Sequence, residues 1–474
     1  MTSDLDGTPL WPSRADRLAI QGHLSEVLAD AIDKLQAGPV APTVEPNAIR
    51  TSLERFDFQE PMGFVEAIEN VTGMLMDGTV HMMHPGYMGL FNPSAVFPGI
   101  LADQIASSFN PQLAVWSHAP AAVEIERHTI LAIGGLCGWE TDKIAGHFTS
   151  GGAEANFTGV LIALTRACSG FSDEGALAFS GQPRLYVSVE SHLAWLQIAH
   201  RTGIGRNAVR LVPTDGTGRM DADALADAIQ TDRRAGDVPV FVGATAGTTN
   251  AGMVDPLEDC GRIARAEGLW YHVDAAWGGA GLLSKQAAAH LKGIEEADSI
   301  TLDAHKWFAV PMGAGIFLCR DNQLLGETFR VSANYMPATI EGAVDPYTHS
   351  VQWSRRFIGL KMFLSLACMG WEGYRAHVAN ALELASMLRW LLEEREWRIV
   401  NDSPLAVVCF VDARGTADPV QVADDVVADG RTWISSVKFE GQIVLRACIT
   451  SHFTREEHLR ALVDALDQAR EAEG

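Results

Sequence analysis

Short apolar runs alternate with helical segments through the middle of the chain, and this alternation is the feature that most limits its fold. The sequence indicates two helices there, Gly152–Cys168 and Pro256–Glu267, the second with Asp255 as its N-cap. Strands separated by helices are typical of a mostly parallel sheet with helices on both faces, an α/β fold. In such a sheet, ligands bind beyond the carboxyl ends of the strands. The five strand-like runs are Arg184–Glu190, Pro239–Thr245, Leu269–Asp274, Ser299–Asp303 and Gly315–Cys319.

The two ends of the chain have patterns of their own. Apolar residues recur at helical spacing from Arg17 to Leu35, and a proline-rich link follows at Pro39–Pro46. The C-terminal part combines helical segments with two strand-like runs, Ala406–Phe410 and Gln442–Ile449. We therefore predict three parts: a helical segment at residues 1–85 that wraps a partner subunit, a large α/β domain at residues 86–360, and a small α+β domain at residues 361–474.

Composition argues against several function classes. The net charge of −23 repels phosphate backbones, so nucleic-acid binding is not expected. The sequence lacks a run of about 18 apolar residues, so no membrane span is predicted, and its first residues do not resemble an export signal. The seven scattered cysteines are typical of reduced thiols in a cytoplasmic protein. His81 and His84 have no third ligand at a suitable spacing, so no metal site is predicted.

Lysine is scarce, and one lysine has an unusual setting. Seven of the 36 basic residues are lysines. Lys306 follows the predicted strand Ser299–Asp303 and precedes an apolar stretch, whereas the other six lie in polar, helix-like or turn-like surroundings. An amine packed among apolar residues is more easily deprotonated, and it is then a nucleophile suited to Schiff-base chemistry. A lysine whose stem lies on apolar surface while its amine reaches water explains the pattern equally well.

Three further polar positions fall at the same predicted edge of the sheet. Asp274 ends an apolar strand, where a carboxylate needs a partner such as a pyridinium nitrogen, although a helix N-cap role is the alternative. The small residues of Thr149–Asn156 open a helix whose free N–H groups suit a phosphate. His192 follows another strand, where its ring either stacks on a planar cofactor or is an ordinary polar histidine. A phosphate site, an acid and a lysine together are what pyridoxal phosphate (PLP) requires.

These segments resemble a known family, the group II PLP-dependent amino-acid decarboxylases, which include aromatic amino-acid, histidine and glutamate decarboxylases. The resemblance extends from about Gly78 to the C-terminus, with Asp274 and Lys306 at the family's spacing. It implies the PLP-dependent transferase fold (aspartate aminotransferase fold type I), pyridoxal 5'-phosphate as cofactor, and a homodimer with the active site at its interface. The matching segments are residues 149–156, 191–192, 244–249, 272–276, 303–307, 355–357 and 445–446.

The resemblance also implies roles for individual residues. Lys306 would bind the cofactor aldehyde, and Asp274 would pair with its ring nitrogen. His192 and Ala276 would lie against the two faces of the ring. The other cofactor contacts would come from Gly151, Gly152, Ala153 and His305 at the phosphate, and from Thr249 and Asp303 near the ring. The candidate substrate contacts are Phe91, Ser94 and Trp116.

The chain departs from the family at two of these positions. Ala153 stands where many members have serine, so one hydroxyl contact to the phosphate is missing. Asp303 stands where some relatives have asparagine, which adds a negative charge near the cofactor. We expect the first departure to weaken phosphate binding unless another group compensates.

The family's mobile catalytic loop corresponds to residues 330–352. Tyr335 lies 29 residues after Lys306, where the decarboxylases carry the tyrosine that reprotonates the α-carbon, whereas aldehyde-releasing relatives tend to carry phenylalanine. A loop aromatic that only packs is the alternative for Tyr335. The resemblance therefore favours α-decarboxylation of an L-amino acid, aromatic or bulky, to an amine and CO2. The alternatives are an oxygen-dependent aldehyde synthase or a transaminase on the same cofactor, and a non-catalytic scaffold on this fold.

Overall fold

A computed structural model describes residues 10–331 and 340–473 of the chain. The described residues form eleven strands and fifteen α-helices. The strands are β1 (Ala145–Thr149), β2 (Pro183–Ser188), β3 (Val209–Val212), β4 (Val238–Thr245), β5 (Trp270–Asp274), β6 (Ser299–Asp303), β7 (Gly315–Cys319), β8 (Trp397–Ile399), β9 (Val407–Asp412), β10 (Ser435–Phe439) and β11 (Gln442–Cys448). The helices are α1 (Arg14–Ala37), α2 (Pro46–Leu53), α3 (Phe64–Gly78), α4 (Phe97–Phe109), α5 (Pro120–Leu136), α6 (Gly152–Ala167), α7 (Phe171–Glu174), α8 (Ala194–Arg201), α9 (Ala222–Arg234), α10 (Leu257–Glu267), α11 (Lys285–Ala288), α12 (Asn322–Phe329), α13 (Leu360–Glu393), α14 (Pro419–Ala428) and α15 (Glu456–Glu473).

The larger sheet has seven strands in the order β1-β7-β6-β5-β4-β2-β3. Strand β7 runs antiparallel to both of its neighbours, and the other pairs are parallel. Both faces of the sheet are buried. Consecutive residues of a strand point to opposite faces, and each face packs in its own hydrophobic core. Trp270 and Phe317 pack in the core beside α6, whereas Tyr271 and Leu318 pack in the core on the opposite face. The predicted mostly parallel sheet with helices on both faces is therefore confirmed.

Five strands meet at one edge of this sheet, which is where the predicted site residues lie. Thr245 pairs with Asp274 across β4 and β5, and both Thr149 and Asp303 pair with Gly315. A Cβ atom at Gly315 would lie 2.5 Å from the carbonyl carbon of Gly151. Glycine at this position therefore lets the loop after β1 pass directly over the start of β7.

The sequence located most of the strands of this sheet. Strands β6 and β7 have the predicted bounds, and β2, β4 and β5 differ from prediction by one or two residues. The predicted start of helix α10 is wrong by one residue, because Pro256 is the N-cap and the helix begins at Leu257. The Asp255 carboxylate does not cap the helix; it accepts backbone N–H bonds from Met220 and Thr245.

A second sheet lies near the C-terminus, with four antiparallel strands in the order β10-β11-β9-β8. Helix α13 begins at Leu360, and Gly370 interrupts its helical geometry with a φ of +63°. The segment before α4 joins this sheet, since Met88 hydrogen-bonds to Trp433 and Cys448 through the backbone. The three-part division of the chain stays a prediction. Among the described residues, the structure contains no helix that combines the length and apolar character needed to cross a membrane.

Candidate active site

Lys306 and Asp303 form an ion pair in the turn after β6. The amine nitrogen of Lys306 lies 3.0 Å from Oδ2 of Asp303, whose side chain is 3% exposed. The Lys306 side chain is 24% exposed, so its amine faces a partly open space. The other carboxylate oxygen, Oδ1, has no hydrogen-bond partner among the described residues. The sequence predicted an amine among apolar groups, and the structure differs by placing a carboxylate directly beside it.

The loop after β1 forms a cradle of small residues above this pair. Gly151 is the N-cap of α6 and Gly152 its first residue, so the first amides of the helix have no carbonyl partner within it. A Cβ at Gly152 would lie 2.9 Å from Oδ2 of Asp303 and 3.3 Å from the Cβ of Ala276. A Cβ at Gly151 would lie 3.5 Å from the ring of His305. The cradle therefore borders both the ion pair and the turn after β5.

Asp274 lies at the end of β5 with both of its carboxylate oxygens bonded. Oδ1 accepts a hydrogen bond of 3.1 Å from the backbone of Ala276, and Oδ2 accepts one of 2.8 Å from Nδ2 of Asn156. The side chain is buried, with 6% of the residue exposed. The helical turn that follows has Trp277 as its N-cap, so Asp274 is not a helix cap. Its position at the sheet edge leaves a buried negative charge next to the cradle.

Two histidines at this edge have tautomers that the structure fixes. Nδ1 of His192 accepts a hydrogen bond from the Ala194 backbone, and Nδ1 of His305 accepts one from Ala314, both at 3.1 Å. Each neutral ring must then carry its proton on Nε2. Burial lowers the pKa of His305, which keeps that ring neutral. His192 is exposed.

An aromatic stack links the Lys306 region to Phe91. Trp307 stacks on Trp277 with ring centroids 5.3 Å apart, and Trp277 packs against Phe91 at 4.6 Å. The guanidinium of Arg446 lies 5.3 Å from the Phe91 ring and donates a hydrogen bond to the carbonyl of Thr249. Thr249 and Phe91 are therefore held on the same side of the site by one buried arginine.

Two of the predicted substrate contacts bond to groups outside this cluster. Ser94 is completely buried, and its hydroxyl contacts the Met82 carbonyl and the Ser451 hydroxyl. Trp116 donates to Glu124 through its indole nitrogen, in the loop before α5. Neither residue hydrogen-bonds to Lys306 or Asp303 within the part of the chain that the structure describes. Tyr335 lies outside the described residues.

Comparison with known proteins decides the family. The profile of the pyridoxal-dependent decarboxylase conserved domain matches residues 46–412. This chain belongs to the pyridoxal-dependent decarboxylase family. An aromatic-L-amino-acid decarboxylase of Bacillus atrophaeus is 28% identical, with 92% of each chain covered. A tyrosine decarboxylase of Narcissus pseudonarcissus is 26% identical, with 95% of this chain and 93% of that protein covered. The crystal structure of Oryza sativa TDC with PLP and tryptamine superposes with a TM-score of 0.92 at 22% identity, covering 99% of this chain and 100% of that one.

The chain is thus a PLP-dependent amino-acid decarboxylase, and the residues present fit that cofactor. The cradle at Gly152 is a space that a single Cβ would fill, next to helix amides suited to a phosphate. The unpartnered Oδ1 of Asp303 and the partly exposed Lys306 amine border the same space. Asp274 adds a buried anion to this edge of the sheet.

Sequence reasoning missed three polar residues behind Asp274. Asn156 and His272 lie within segments whose other residues were assigned to the cofactor. Ser299 begins a strand that was interpreted only as an apolar run. The available signal was a polar side chain inside an otherwise apolar run, since a buried polar group needs a hydrogen-bond partner. All three residues are at most 2% exposed.

Proposed function

We propose that this decarboxylase converts an aromatic or bulky L-amino acid to its amine and CO2. The main support for this proposal is that four residues border one space beside Asp274, namely Lys306, Asp303, Gly152 and Ala276. Those groups come from three separate stretches of the chain. The Lys306 amine lies 3.0 Å from Asp303, and a Cβ added at Gly152 would lie 2.9 Å from Asp303 and 3.3 Å from the Cβ of Ala276. A non-catalytic scaffold on this fold would not need a lysine at this place.

The proposed cofactor contacts are those that the family resemblance implies. Lys306 would hold the aldehyde carbon through its amine, and Asp274 would hold the ring nitrogen. His192 and Ala276 would cover the two faces of the ring, with Thr249 and Asp303 near its edge. The phosphate would be bound by the Nε2–H of His305 and by the backbone amides of the cradle, which belong to Gly151, Gly152 and Ala153. When bound, PLP supplies an electron-accepting ring that stabilises negative charge at the substrate α-carbon.

The protein's own groups supply the proton chemistry. His192 is an exposed residue whose Nδ1 accepts a hydrogen bond, and its Nε2–H group is the first candidate to donate a proton to the substrate α-carbon. By the family resemblance, Tyr335 is the second candidate for this proton transfer. Asp303 holds the Lys306 amine in place, so it positions the group that must attack the cofactor.

The substrate proposal has two supports. The two curated relatives named above are aromatic amino-acid and tyrosine decarboxylases, so this chain is similar to enzymes of aromatic substrates. The stack of Trp307, Trp277 and Phe91 places apolar surface next to the Lys306 turn. A decarboxylation screen over the common L-amino acids, with Lys306→Ala as the blank, tests the proposal. The highest kcat/KM for aspartate, glutamate or another acidic substrate would contradict it.

Product analysis separates decarboxylation from the oxidative and transamination outcomes. Tyr335 favours decarboxylation by the family resemblance, so we expect amine and CO2 in equal amounts and no uptake of oxygen. Aldehyde with ammonia and peroxide would instead identify an aldehyde synthase, and a keto acid would identify a transaminase. Mass spectrometry of the products with an oxygen electrode measures all three outcomes.

A homodimer completes the proposal. Helix α4 exposes four large apolar side chains at a spacing of four residues, which places them on one face: Phe97, Leu101, Ile105 and Phe109. Helices α2 and α3 contain no buried residue, and α1 contains one, Ala31. Apolar surface of this extent is typical of an interface, and a second copy of the chain is its proposed occupant.

The proposed cytoplasmic location rests on the cysteines. All seven are free thiols in the structure, and five of them are buried: Cys137, Cys260, Cys319, Cys409 and Cys448. Unpaired cysteines are typical of a reducing compartment. Fractionation of expressing cells tests this location.

A further inference from the structure

A continuous chain of hydrogen bonds runs through the protein interior and ends on Asp274. The indole nitrogen of Trp270 lies 2.8 Å from Oγ of Ser299, which lies 2.7 Å from Nδ1 of His272. Nε2 of His272 lies 3.0 Å from Oδ1 of Asn156, whose Nδ2 lies 2.8 Å from Oδ2 of Asp274. We call Trp270, Ser299, His272 and Asn156 the buried donor chain; none of them is more than 3% exposed.

The direction of this chain is set by Asn156. Its carbonyl oxygen can only accept, so Nε2 of the neutral His272 ring carries the proton and donates to it. Nδ1 must then accept, and the Ser299 hydroxyl donates to it while the Ser299 oxygen accepts from the Trp270 indole N–H. The Asn156 amide group then points its N–H at Asp274. Every link therefore donates towards the carboxylate.

The surroundings of His272 keep its ring neutral and fixed in orientation. Burial lowers the pKa of His272 to about 4, so the ring is uncharged at neutral pH. Phe241 stacks on the ring at 5.5 Å, and Trp195 meets it edge-on at 5.8 Å. A Cβ at Gly159 would lie 3.0 Å from Nδ1, so α6 also packs closely against it. The ring cannot rotate to reverse the chain without displacing these neighbours.

We infer that the buried donor chain is a positioning device that holds the Asp274 carboxylate in place and aims it at the ring nitrogen of the cofactor. This inference rests on the proposed function of Asp274. An N–H aimed at a carboxylate stabilises its charged form, whereas the reversed amide would present a carbonyl oxygen and oppose that charge. An ionised Asp274 in turn holds the proton on the cofactor ring nitrogen. Asn156, His272 and Ser299 thus act on the reaction through Asp274.

The tautomer of His272 gives the first test. We expect ¹⁵N NMR of the holoenzyme labelled in histidine to show His272 with its proton on Nε2 from pH 6 to pH 8, with the signal assigned by its loss in His272→Gln. A proton on Nδ1, or a doubly protonated ring in this range, would overturn the direction of the chain. This measurement needs no variant of Asn156 and does not depend on activity.

Substitution of Asn156 gives the second test, with Thr158 as the matched control. Asn156→Leu keeps the side-chain size but removes the donor to Asp274. Thr158→Val changes a fully buried residue on the same helix whose hydroxyl donates to the Glu154 carbonyl of that helix. The readouts are the apparent Kd for PLP and the ¹⁵N shift of PLP labelled at its ring nitrogen.

We expect Asn156→Leu to raise the Kd by about tenfold to a hundredfold, the usual effect of losing a hydrogen bond to a charged group. Its ring ¹⁵N signal should move towards the unprotonated position, and Ser299→Ala should move it in the same direction by less. Thr158→Val should change neither quantity. If Asn156→Leu and Ser299→Ala still bind PLP but the ¹⁵N shift of its ring nitrogen is unchanged, the inference is wrong. Failure of the unmodified protein to bind PLP would instead overturn the proposed function, and the inference with it.

Discussion

The amine of Lys306 lies 3.0 Å from a carboxylate oxygen of Asp303, three residues earlier in the same turn. Asp303 is buried, and its other oxygen has no partner among the described residues. The lysine is therefore its main source of charge compensation before any cofactor is bound. Removal of either partner should have consequences for the stability of the apoenzyme as well as for chemistry.

Lys306→Ala should destabilise the apoenzyme, because it leaves the Asp303 carboxylate buried without a cation. We expect a loss of about 1–3 kcal/mol in the free energy of unfolding, measured by urea denaturation. The double variant Asp303→Asn, Lys306→Ala should recover most of this loss, since the amide is neutral. Equal stability of the single and double variants would contradict a compensating ion pair.

Gly152→Ala should abolish tight cofactor binding while the protein still folds. The added Cβ would lie 2.9 Å from Oδ2 of Asp303 and would fill the cradle. We expect at least about a tenfold rise in the apparent Kd for PLP, measured by absorbance titration. Gly135→Ala is the control, because that helical glycine is exposed and a Cβ there meets nothing within 4 Å. Comparable PLP affinity in both variants would show that the cradle is not the phosphate site.

The stability of the apoenzyme should fall as the pH is lowered from 6.5 towards 4. Burial lowers the pKa of His272, His349 and His377 to about 4, against 6.5 when exposed. Their stabilising effect is complete above pH 6.5 and is lost as the pH falls, at up to about 1.4 kcal/mol per pH unit for each histidine. Burial raises the pKa of Asp255 to about 6. Below pH 6 its proton uptake stabilises the folded protein, and this offsets the destabilisation from one of the three histidines.

His377→Gln isolates one of these contributions. Nε2 of His377 lies 3.1 Å from the Trp307 carbonyl, and a glutamine amide can donate to the same oxygen without titrating. Urea denaturation at several pH values should show a flatter pH dependence in this variant. A slope identical to that of the unmodified protein would place the proton uptake elsewhere.

Charges on the exposed face of α4 should disrupt the proposed homodimer. Phe97 and Phe109 are 67% and 82% exposed in the single chain. The double variant Phe97→Asp, Phe109→Asp should shift the protein to monomers in analytical ultracentrifugation, because a dimer would bury both carboxylates. Leu177→Asp is the control, since Leu177 is 90% exposed and belongs to a different segment, the helical turn Gly175–Ala178. An unmodified protein that is already monomeric would contradict the homodimer.

Much of the larger sheet could be predicted because its inner strands are buried on both faces. The run Ser299–Asp303 is buried throughout, and its bounds were predicted correctly. Strand β1 was missed, because Ala145–Thr149 contains one β-branched residue and a glycine. The Asp255–Pro256 pair has the sequence pattern of an N-cap and first helical residue, but the two backbone N–H groups that bond to Asp255 belong to other segments.

The sequence can single out a candidate site residue where the residue's type alone states its chemistry, as for Lys306 and Asp274. Contacts between distant segments were not. The bond from Asn156 to Asp274 spans 118 residues, and no local pattern indicates it. The burial of the Ser94 hydroxyl against Ser451 likewise depends on how the C-terminal part packs over the loop before α4. Local sequence identifies the reactive groups, whereas the groups that orient them depend on tertiary packing.

Borohydride reduction of the PLP-loaded protein tests the central claim most directly, because it fixes the cofactor to the amine that holds it. Peptide mapping by mass spectrometry should then find the pyridoxyl mass on Lys306 and on none of the other six lysines. Lys306→Ala, treated in the same way, should carry no label. A label on another lysine, or none on the unmodified protein, would contradict the account.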